Sequence, residues 1–290
     1  MFQWKLRSRS LTLGEHTVVM GVVNVTPDSF SDGGEFLDAG HAVQRALELL
    51  KEGADILDIG GESTRPGAEP LSADEERRRV VPVIEGILRE APHAVISIDT
   101  YKAETAHPAL EAGAEIVNDV SAGMWDPDML RFLASQPCGC VLMHTRGRPN
   151  DWKTQPPLAQ ETVVPLVLEG MQRIAEHALH AGIARPRIVL DPGFGFGKRL
   201  EENFPLLANF AELHRLGFPL LSGASRKSFI AKAVNGDSSA KFPTSNAGTL
   251  ATVVASILQG AHIVRVHEVR TAVEAAKVTD AIARGNAQGK

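Results

Sequence analysis

A short run of β-branched and aliphatic residues, followed by a segment with apolar residues at helical spacing, recurs along the whole of this 290-residue chain. Uninterrupted apolar strands that alternate with helices are typical of a parallel sheet covered by helices. Eight such units favour an α/β fold of the (β/α)₈ type, the TIM barrel, over an open doubly wound sheet. The predicted barrel strands are Thr17–Val25, Asp55–Ile59, Ala94–Asp99, Ile116–Asp119, Cys140–His144, Ile188–Asp191, Pro219–Ser222 and Ile263–Val266.

Three of the joins between a helix and the next strand share one pattern, in which glycine and alanine precede a polar residue and an isoleucine. They begin at Gly53, Gly113 and Gly260. Glycine enters the left-handed backbone conformation that commonly ends a helix without the steric cost that a side chain brings. The pattern therefore predicts a helix end with positive φ at each of these glycines.

The two ends of the chain lie outside the repeating pattern. Residues 1–16 alternate loosely between apolar and polar, which predicts a short N-terminal β-hairpin at the bottom of the barrel. Residues 283–290 are predicted to be a frayed tail. Since no linker or low-complexity segment divides the chain, we expect residues 1–290 to form a single domain.

Composition and charge exclude several classes of function. A net charge of −5 is unfavourable for electrostatic binding of nucleic acid. No apolar run approaches the ~20 residues that a membrane span requires, and no secretory signal is expected at the N-terminus. Cys138 and Cys140 form a lone C-x-C, for which buried reduced thiols are a better interpretation than a metal site. A cytoplasmic location is expected.

A glycine-rich segment with a lysine, DPGFGFGK at residues 191–198, raises the question of a nucleotide-phosphate loop. The dinucleotide fingerprint fails because Lys198 stands where its third glycine belongs. The P-loop pattern fails because Pro192 replaces its first glycine and Arg199 replaces its Ser or Thr. We interpret the alternating glycines as a sharp turn that lets flat ligands approach the backbone.

Polar residues cluster where the predicted strands end. In a barrel of this type all these ends face one mouth, where the active sites of the architecture lie. A single polar strand end is commonly just a turn former, but a full ring of them predicts an active site. Residues two apart share a strand face, so Arg265 and His267 point the same way and His262 points the other way. The ring comprises Asn24, Asp58, Asp99, Asn118, His144, Asp191, Ser222, Lys227, Arg265 and His267.

The strand ends also carry seven longer motifs, which run in order from near the start to near the end of the chain. They are MGVVNVTPDSFSDGG (20–34), DILDIGGESTRPGA (55–68), ISIDTYKAETAHPALEAGAEIVNDVSAG (96–123), LMHTRGRP (142–149), LDPGFGFGK (190–198), SGASRKSFI (222–230) and IVRVHEV (263–269). These motifs resemble the dihydropteroate synthase family of pterin-binding (β/α)₈ enzymes. The resemblance implies an enzyme that joins 6-hydroxymethyl-7,8-dihydropterin pyrophosphate to p-aminobenzoate, releasing pyrophosphate. It also implies Mg²⁺ as cofactor, small-molecule substrates and a homodimer.

The resemblance assigns a pterin-binding set. A carboxylate can accept two adjacent pterin N–H groups in a bidentate, charge-assisted pair, and Asp191 matches the family residue for this role. Taken alone, Asp99 or Asp191 would more often be a helix cap or turn former. The implied pterin-binding residues are Asp99, Asn118, Met143, Asp191 and Lys227.

The pyrophosphate needs positive charge and Mg²⁺. By resemblance, Arg265 and His267 bind it together with Asn24, which is also the implied metal ligand. Arginine clamps phosphate oxygens as a planar fork. Magnesium keeps most of its waters and binds substrate phosphates, so one protein ligand is sufficient.

The resemblance also implies a p-aminobenzoate pocket and residues for catalysis. Ser228 opens a helical stretch whose N–H groups favour an anion, whereas Phe194 is interpreted as a core anchor of its loop. The family mechanism lets pyrophosphate leave before the amine attacks, with charges that stabilise the developing cation and leaving group. The implied p-aminobenzoate residues are Phe30, Thr64, Pro66, Phe196 and Ser228, and the implied catalytic residues are Asp32, Arg65 and Lys227.

The sequence departs from the family pattern at two places, and three other functions are alternatives. Glu268 stands where the family usually has aspartate, and Thr145 and Arg146 stand where other residues are common. A related pterin-barrel methyltransferase should lack SRKSF and the pyrophosphate residues, and a silent pterin binder would not need residues for the leaving group. A Schiff-base aldolase that uses Lys227 or Lys198 requires a desolvated lysine, and Lys198 is a weak candidate because it lies between glycine and arginine in a predicted loop.

Overall fold

A computed structural model describes residues 1–25, 35–63, 69–152, 154–236 and 245–287. Two sheets are present in these ranges. The first is an antiparallel hairpin of β1 (Phe2–Lys5) and β2 (Ser10–Leu13), in which Phe2 pairs with Leu13. The hairpin confirms the prediction made for residues 1–16.

The second sheet has eight parallel strands, which confirms the predicted fold class. The strands are β3 (Val18–Asn24), β4 (Ile56–Gly60), β5 (Ile96–Asp99), β6 (Ile116–Asp119), β7 (Gly139–Met143), β8 (Ile188–Asp191), β9 (Leu221–Ser222) and β10 (Ile263–Val266). Their order in the sheet is β8-β7-β6-β5-β4-β3-β10-β9. A parallel bridge between Leu190 of β8 and Leu220, the residue before β9, joins the two ends of the sheet and closes the barrel.

Helices connect successive barrel strands and cover the outside of the sheet. Their apolar faces pack against the outward side chains of the strands in one continuous core. None of the helices in the described ranges combines the length and hydropathy needed to span a bilayer. They are α1 (Glu35–Glu52), α2 (Ala73–Glu90), α3 (Ala103–Glu111), α4 (Met129–Ser135), α5 (Gln160–His180), α6 (Asn203–Ala208), α7 (Ser228–Asn235), α8 (Asn246–Leu258) and α9 (Val269–Ala287).

Predictions were made for three helix ends and for the C-terminal residues of the chain. Gly53, Gly113 and Gly260 have φ values of 101°, 115° and 91°, as predicted for the three joins. Of residues 283–290, which were predicted to be a frayed tail, those up to Ala287 belong to α9, and residues 288–290 lie outside the described ranges. Apolar residues at helical spacing pack the first half of α9 on the barrel, with Val269, Ala272 and Ala276 in the core.

The lower half of the barrel interior is a closed apolar core. Inward side chains such as Met20, Ile56 and Ile263 pack there with Trp4 and Leu13 of the hairpin. Trp4 is only 1% exposed, and its indole N–H donates to the carbonyl of Arg187 over 2.9 Å. The hairpin therefore plugs the amino-terminal end, and in the described part of the barrel the open end is at the carboxyl ends of the strands.

The glycine-rich loop after β8 is shaped by the neighbouring loop that follows β7. Gly193 and Gly197 have φ values of 67° and 69°. A Cβ atom at Gly193 would lie 2.1 Å from the carbonyl oxygen of His144, and one at Gly197 would lie 2.6 Å from Cβ of Arg146. This corrects the expectation that these glycines admit flat ligands, because at both positions the backbone of the β7 loop occupies the space.

We predict that Gly193→Ala destabilises the protein far more than Gly236→Ala. Both residues have positive φ, at 67° and 73°, so each substitution carries the left-handed cost of ~1–2 kcal/mol. Among the described residues, no atom lies within 4 Å of a Cβ at Gly236, whereas a Cβ at Gly193 collides with the β7 loop. Urea unfolding of both variants gives the two free energies, and equal losses would contradict this account of the loop.

Candidate active site

Polar side chains that face inward form a layer above the apolar core at the open end of the barrel. Five different strands each contribute one inward polar residue to this layer. Each follows an inward apolar residue by two positions or lies in register with another member of the layer. The five are Asp58, Asp99, Asn118, Asp191 and Arg265. All five come from the strand ends singled out in the sequence. The structure thus brings together residues that lie as far apart in the chain as positions 58 and 265.

Two members of the predicted ring face away from the mouth. Ser222 is in register with Val264 of the outer core, and its hydroxyl lies 2.8 Å from that of Ser256 in α8. His144 follows the inward Met143, so its ring turns outward and packs against Gly170 of α5. Both predictions are corrected by the same physical fact: side chains alternate along a strand, and these residues are one position out of phase.

Arg265 lies between two carboxylates at the centre of the mouth. Its Nε donates to Oδ2 of Asp58 and its Nη2 donates to Oδ2 of Asp99, each over 2.6 Å. Oδ2 of Asp58 also accepts from Nδ2 of Asn118 over 2.9 Å. Charge-assisted bonds of this length are among the strongest in proteins. Burial alone would lower the pKa of Arg265, but Asp58 and Asp99 raise it above its ordinary value.

The two aspartates have different surroundings. Asp58 is fully buried, and in the described part of the chain its Oδ1 has no hydrogen-bond partner. Asp99 keeps 19% of its side chain exposed. Burial raises the pKa of Asp99 to about 7, against the opposing charge of Arg265 and with the help of Asp58. Asp58 is therefore enclosed in the interior, whereas the carboxylate of Asp99 is partly exposed at the mouth of the barrel.

Asp191 ends β8 on the same inward face. Its Oδ1 accepts the backbone N–H of Gly193 over 2.7 Å, which fixes the carboxylate at the start of the glycine loop. Burial raises the pKa of Asp191 to about 6, and both this N–H and the charge of Lys227 oppose the rise. Asp191 is 5% exposed, and the positive charges of Lys227 and Lys198 favour the ionised form of its carboxylate.

An apolar and aromatic wall stands beside these polar groups. Met143 and Phe196 form a buried cluster with Val120, and Trp125 and Trp152 pack against it. The ring of Phe196 meets that of Trp152 edge to face, with centroids 5.1 Å apart. A planar ligand that hydrogen-bonds to Asp191 would find this wall next to its ring.

Lys227 joins the polar layer to this wall. It precedes the first residue of α7, and its Nζ lies 4.0 Å from the ring centroid of Phe196 in a cation–π contact. Ser228 begins α7 with its side chain exposed at the rim, where predicted. The helix start and the lysine therefore lie on the same side of the mouth.

Asn24 and His267 lie at the carboxyl ends of the adjacent strands β3 and β10. Asn24 is the exposed last residue of β3. Nδ1 of His267 lies 3.0 Å from the hydroxyl of Ser225. Arg265 is two residues before His267 on the same face, so the structure groups the three residues predicted for pyrophosphate at one edge.

Five predicted site residues lie outside the described ranges. They are Phe30, Asp32, Thr64, Arg65 and Pro66. The assignments of Asp32 and Arg65 to catalysis, and of the other three to the p-aminobenzoate pocket, stay predictions.

Lys198 shows an environment that the sequence did not reveal. It is 5% exposed, and burial lowers the pKa of its ammonium to about 7. This corrects the argument that a loop position keeps the lysine solvated. Its Nζ donates to the carbonyls of Gly193, Phe196 and His144 over 2.7, 3.3 and 3.3 Å. Because its three donors are used by the backbone, Lys198 holds the glycine loop together and is unsuited to Schiff-base chemistry.

The two departures from the family pattern have structural partners. Arg146 donates to the carbonyls of Gly197 and Pro156, which ties the β7 loop to the glycine loop. Glu268 pairs with Arg226 of the segment before α7. Both departures therefore lie in contacts between loops at the rim, and not among the inward residues.

Comparisons with known proteins point to one family. The family model described as "Pterin binding enzyme" matches residues 20–267. Dihydropteroate synthase of Synechocystis sp. is 43% identical over 93% of this chain and 92% of its own length. The Xanthomonas albilineans dihydropteroate synthase with 4-aminobenzoic acid is 41% identical, with a TM-score of 0.86 over 97% of this chain and 98% of its own. The Yersinia pestis enzyme with a sulfonamide drug is 39% identical, with a TM-score of 0.86 over 97% and 99%.

The match over residues 20–267 shows that the chain belongs to the pterin-binding enzymes. Its high-coverage relatives place it more narrowly. It is a transferase of folate synthesis, of the dihydropteroate synthase family. The rival interpretations as a methyltransferase and as an aldolase are thereby set aside.

We predict that Asp58→Asn lowers kcat/KM for the pterin pyrophosphate by ~10- to 100-fold, since a hydrogen bond to a charged group contributes ~1.5–3 kcal/mol. The substitution keeps the shape of the side chain but removes the charge that holds Arg265. Steady-state kinetics measure the effect.

A matched control is Glu115→Gln, which neutralises a carboxylate at the closed end of the barrel. Glu115 is 4% exposed and is bonded to Ser8 and Arg9 of the hairpin. Its loss should lower the thermal midpoint and leave kcat/KM of the folded enzyme unchanged. If Asp58→Asn behaves in the same way as this control, the role given to Asp58 is wrong.

Proposed function

We propose that the inward residues at the barrel mouth carry out dihydropteroate synthesis, in which 6-hydroxymethyl-7,8-dihydropterin pyrophosphate and p-aminobenzoate give 7,8-dihydropteroate and pyrophosphate. The observation that supports this assignment best is the pairing of a buried carboxylate, Asp191, with the flat apolar wall of Met143 and Phe196. A planar heterocycle with adjacent N–H donors satisfies both at once.

The pterin is held by its polar edge. Asp191 accepts two adjacent N–H groups, and Asn118 and Asp99 bind the rest of the edge. Lys227 contacts the ring from the side of Phe196, where its Nζ already lies over an aromatic face. Met143, 3% exposed, supports the plane of the ring.

The pyrophosphate is bound by Arg265, His267 and Asn24. The two carboxylate contacts of Arg265 use Nε and Nη2, and 21% of its side chain is exposed toward the mouth. Its remaining N–H groups at Nη1 suit a phosphate oxygen. Asp58 and Asp99 keep this guanidinium in the mouth before any anion arrives.

Mg²⁺ fits this arrangement through Asn24. Among the described residues no group of three or more His, Cys, Asp or Glu side chains comes together to hold a metal. An exposed amide oxygen at a strand end suits a cation that keeps its waters and binds substrate phosphates. When bound, the ion neutralises charge on the leaving pyrophosphate.

The second substrate, p-aminobenzoate, lies nearer the rim. Phe196 and Ser228 line its site, with Phe30, Thr64 and Pro66 as further predicted contacts. The free N–H groups at the start of α7 favour its carboxylate. The sulfonamide bound by the Yersinia pestis relative supports a similar aromatic site in this chain.

Catalysis follows from charge placed before the reaction begins. Arg265 and His267 stabilise the pyrophosphate as it leaves, and the carboxylates at the mouth stabilise the dihydropterin cation that develops. Asp32 and Arg65 are proposed to complete these two charge sets. The amine then attacks the exocyclic carbon, and the arylammonium loses its proton to water.

One assay tests this function. The protein is incubated with the pterin pyrophosphate, p-aminobenzoate and Mg²⁺, and formation of dihydropteroate and pyrophosphate is followed. Product is expected. If pterin binds and no product forms, the chain is a silent pterin binder, and the catalytic part of the proposal fails.

We predict that Asp191→Asn weakens binding of a dihydropterin by ~1.5–3 kcal/mol, because it removes a charged acceptor.

In the unsubstituted protein the affinity for the dihydropterin should fall as the pH drops through the range from about 7 to about 6, where Asp99 and Asp191 take up protons. Because the raised pKa values lie in this range, the fraction of protein in which both carboxylates are ionised falls as the pH drops through it.

In Asp191→Asn the step near the lower end of this range should disappear, while the step due to Asp99 remains. Isothermal titration calorimetry over several pH values measures both effects. An affinity for the pterin that does not change in the variant would refute the role of Asp191.

We also propose that the chain acts as one domain and forms a homodimer in a reducing compartment such as the cytoplasm. Exposed apolar side chains on α8 and α9, namely Leu258, Val278 and Ile282, support a paired surface there. Cys138 and Cys140 are free and buried, which suits a reducing environment. Sedimentation of the intact chain tests the dimer, and a monomer at assay concentration would exclude it.

A further inference from the structure

The segment Ser225–Lys227 between β9 and α7 contacts the end of β10 through two adjacent residue pairs. The Ser225 hydroxyl lies 3.0 Å from Nδ1 of His267. The next residue, Arg226, donates from Nη2 to the carboxylate of Glu268, which follows His267. Two neighbours on one segment therefore hold two neighbours on the other, and Ser225 and His267 are kept in register.

Arg226 fixes the backbone of this segment. Its φ is 57°, in the left-handed region that is unfavourable for a residue with a side chain. Its N–H donates to Oγ1 of Thr249 in α8 over 3.2 Å, and its guanidinium pairs with Glu268. These contacts hold Ser225 in one orientation toward His267.

The proton of the Ser225 hydroxyl needs an acceptor inside the protein, because Ser225 is 5% exposed. Its Oγ accepts the backbone N–H of His267 over 3.3 Å, and this contact does not use the hydroxyl proton. Among the hydrogen bonds of Ser225 in the described ranges, Nδ1 of His267 is the atom able to accept it. A neutral imidazole that accepts at Nδ1 carries its proton at Nε2.

We propose that Ser225 is a positioning residue that holds His267 in the Nε2–H tautomer, so that the ring presents a donor to the pyrophosphate of the pterin substrate. The inference rests on the pyrophosphate role proposed above for His267. His267 shares its strand face with Arg265. A ring N–H attracts phosphate oxygens, whereas a lone pair at the same edge repels them.

The tautomer is measured on the intact protein labelled with ¹⁵N-histidine, from two-bond proton–nitrogen correlations at a pH where the ring is neutral. The chain has ten histidines, and His267→Gln identifies the signals of His267 by their loss. The unsubstituted protein should show the Nε2–H pattern, and Ser225→Ala should show a mixture of tautomers. A proton on Nδ1 in the unsubstituted protein, or an unchanged pattern in Ser225→Ala, would overturn the inference.

Two further variants separate the hydroxyl from general packing. Ser225→Thr keeps the hydroxyl and should keep the Nε2–H pattern. Ser222→Ala removes another buried hydroxyl three residues away, which is bonded to Ser256 and not to His267. It should leave the pattern unchanged, and an effect on His267 equal to that of Ser225→Ala would count against the assignment.

Binding measurements connect the tautomer to function. With Mg²⁺ present, Ser225→Ala should weaken binding of inorganic pyrophosphate by roughly three- to tenfold, the size expected for one neutral hydrogen bond. Affinity for a dihydropterin without pyrophosphate should not change. A changed tautomer with unchanged pyrophosphate affinity would preserve the structural role of Ser225 but refute the pyrophosphate role of His267, so the two failures are distinguishable.

Discussion

The guanidinium of Arg265 shared by Asp58 and Asp99 is the interaction on which the mouth of the barrel depends. It joins β10 to β4 and β5 across the interior, and the bond from Asn118 to Asp58 extends it to β6. Each of these buried groups would be costly without its partners, since an uncompensated charge in the interior loses several kcal/mol of hydration. The network therefore holds four strands in register and keeps a cation at the point where the leaving group is proposed to bind.

The sequence predicted most of this architecture, because the signals are local. Apolar runs of strand length, helical spacing between them and a glycine at three helix ends were enough to place eight strands to within a few residues. The inward residues at the mouth were found because polar side chains are rare in strands buried on both faces. Asp191 and Asn118 stand out for that reason, and the resemblance to a family then supplied their roles.

What the sequence missed depends on contacts between distant segments. His144 and Ser222 are one position out of phase with the inward residues, and only the strand register shows this. Lys198 was expected to be solvated because its neighbours are glycine and arginine, yet the β7 loop covers it. The partnership of Arg226 with Glu268 could not be inferred, since nothing local requires the two residues, 42 positions apart, to meet.

The hairpin plug has a consequence for the order of events during turnover. With the amino-terminal end filled by Trp4 and its neighbours, substrates and products pass through the carboxyl-terminal mouth, the open end of the barrel in its described part. The groups proposed for the pterin lie deep, at 4% and 5% exposure for Asn118 and Asp191, whereas Ser228 is exposed at the rim. In the proposed arrangement the pterin occupies the deeper level of the mouth, so it has to bind before the arylamine, whose proposed site lies between that level and solvent.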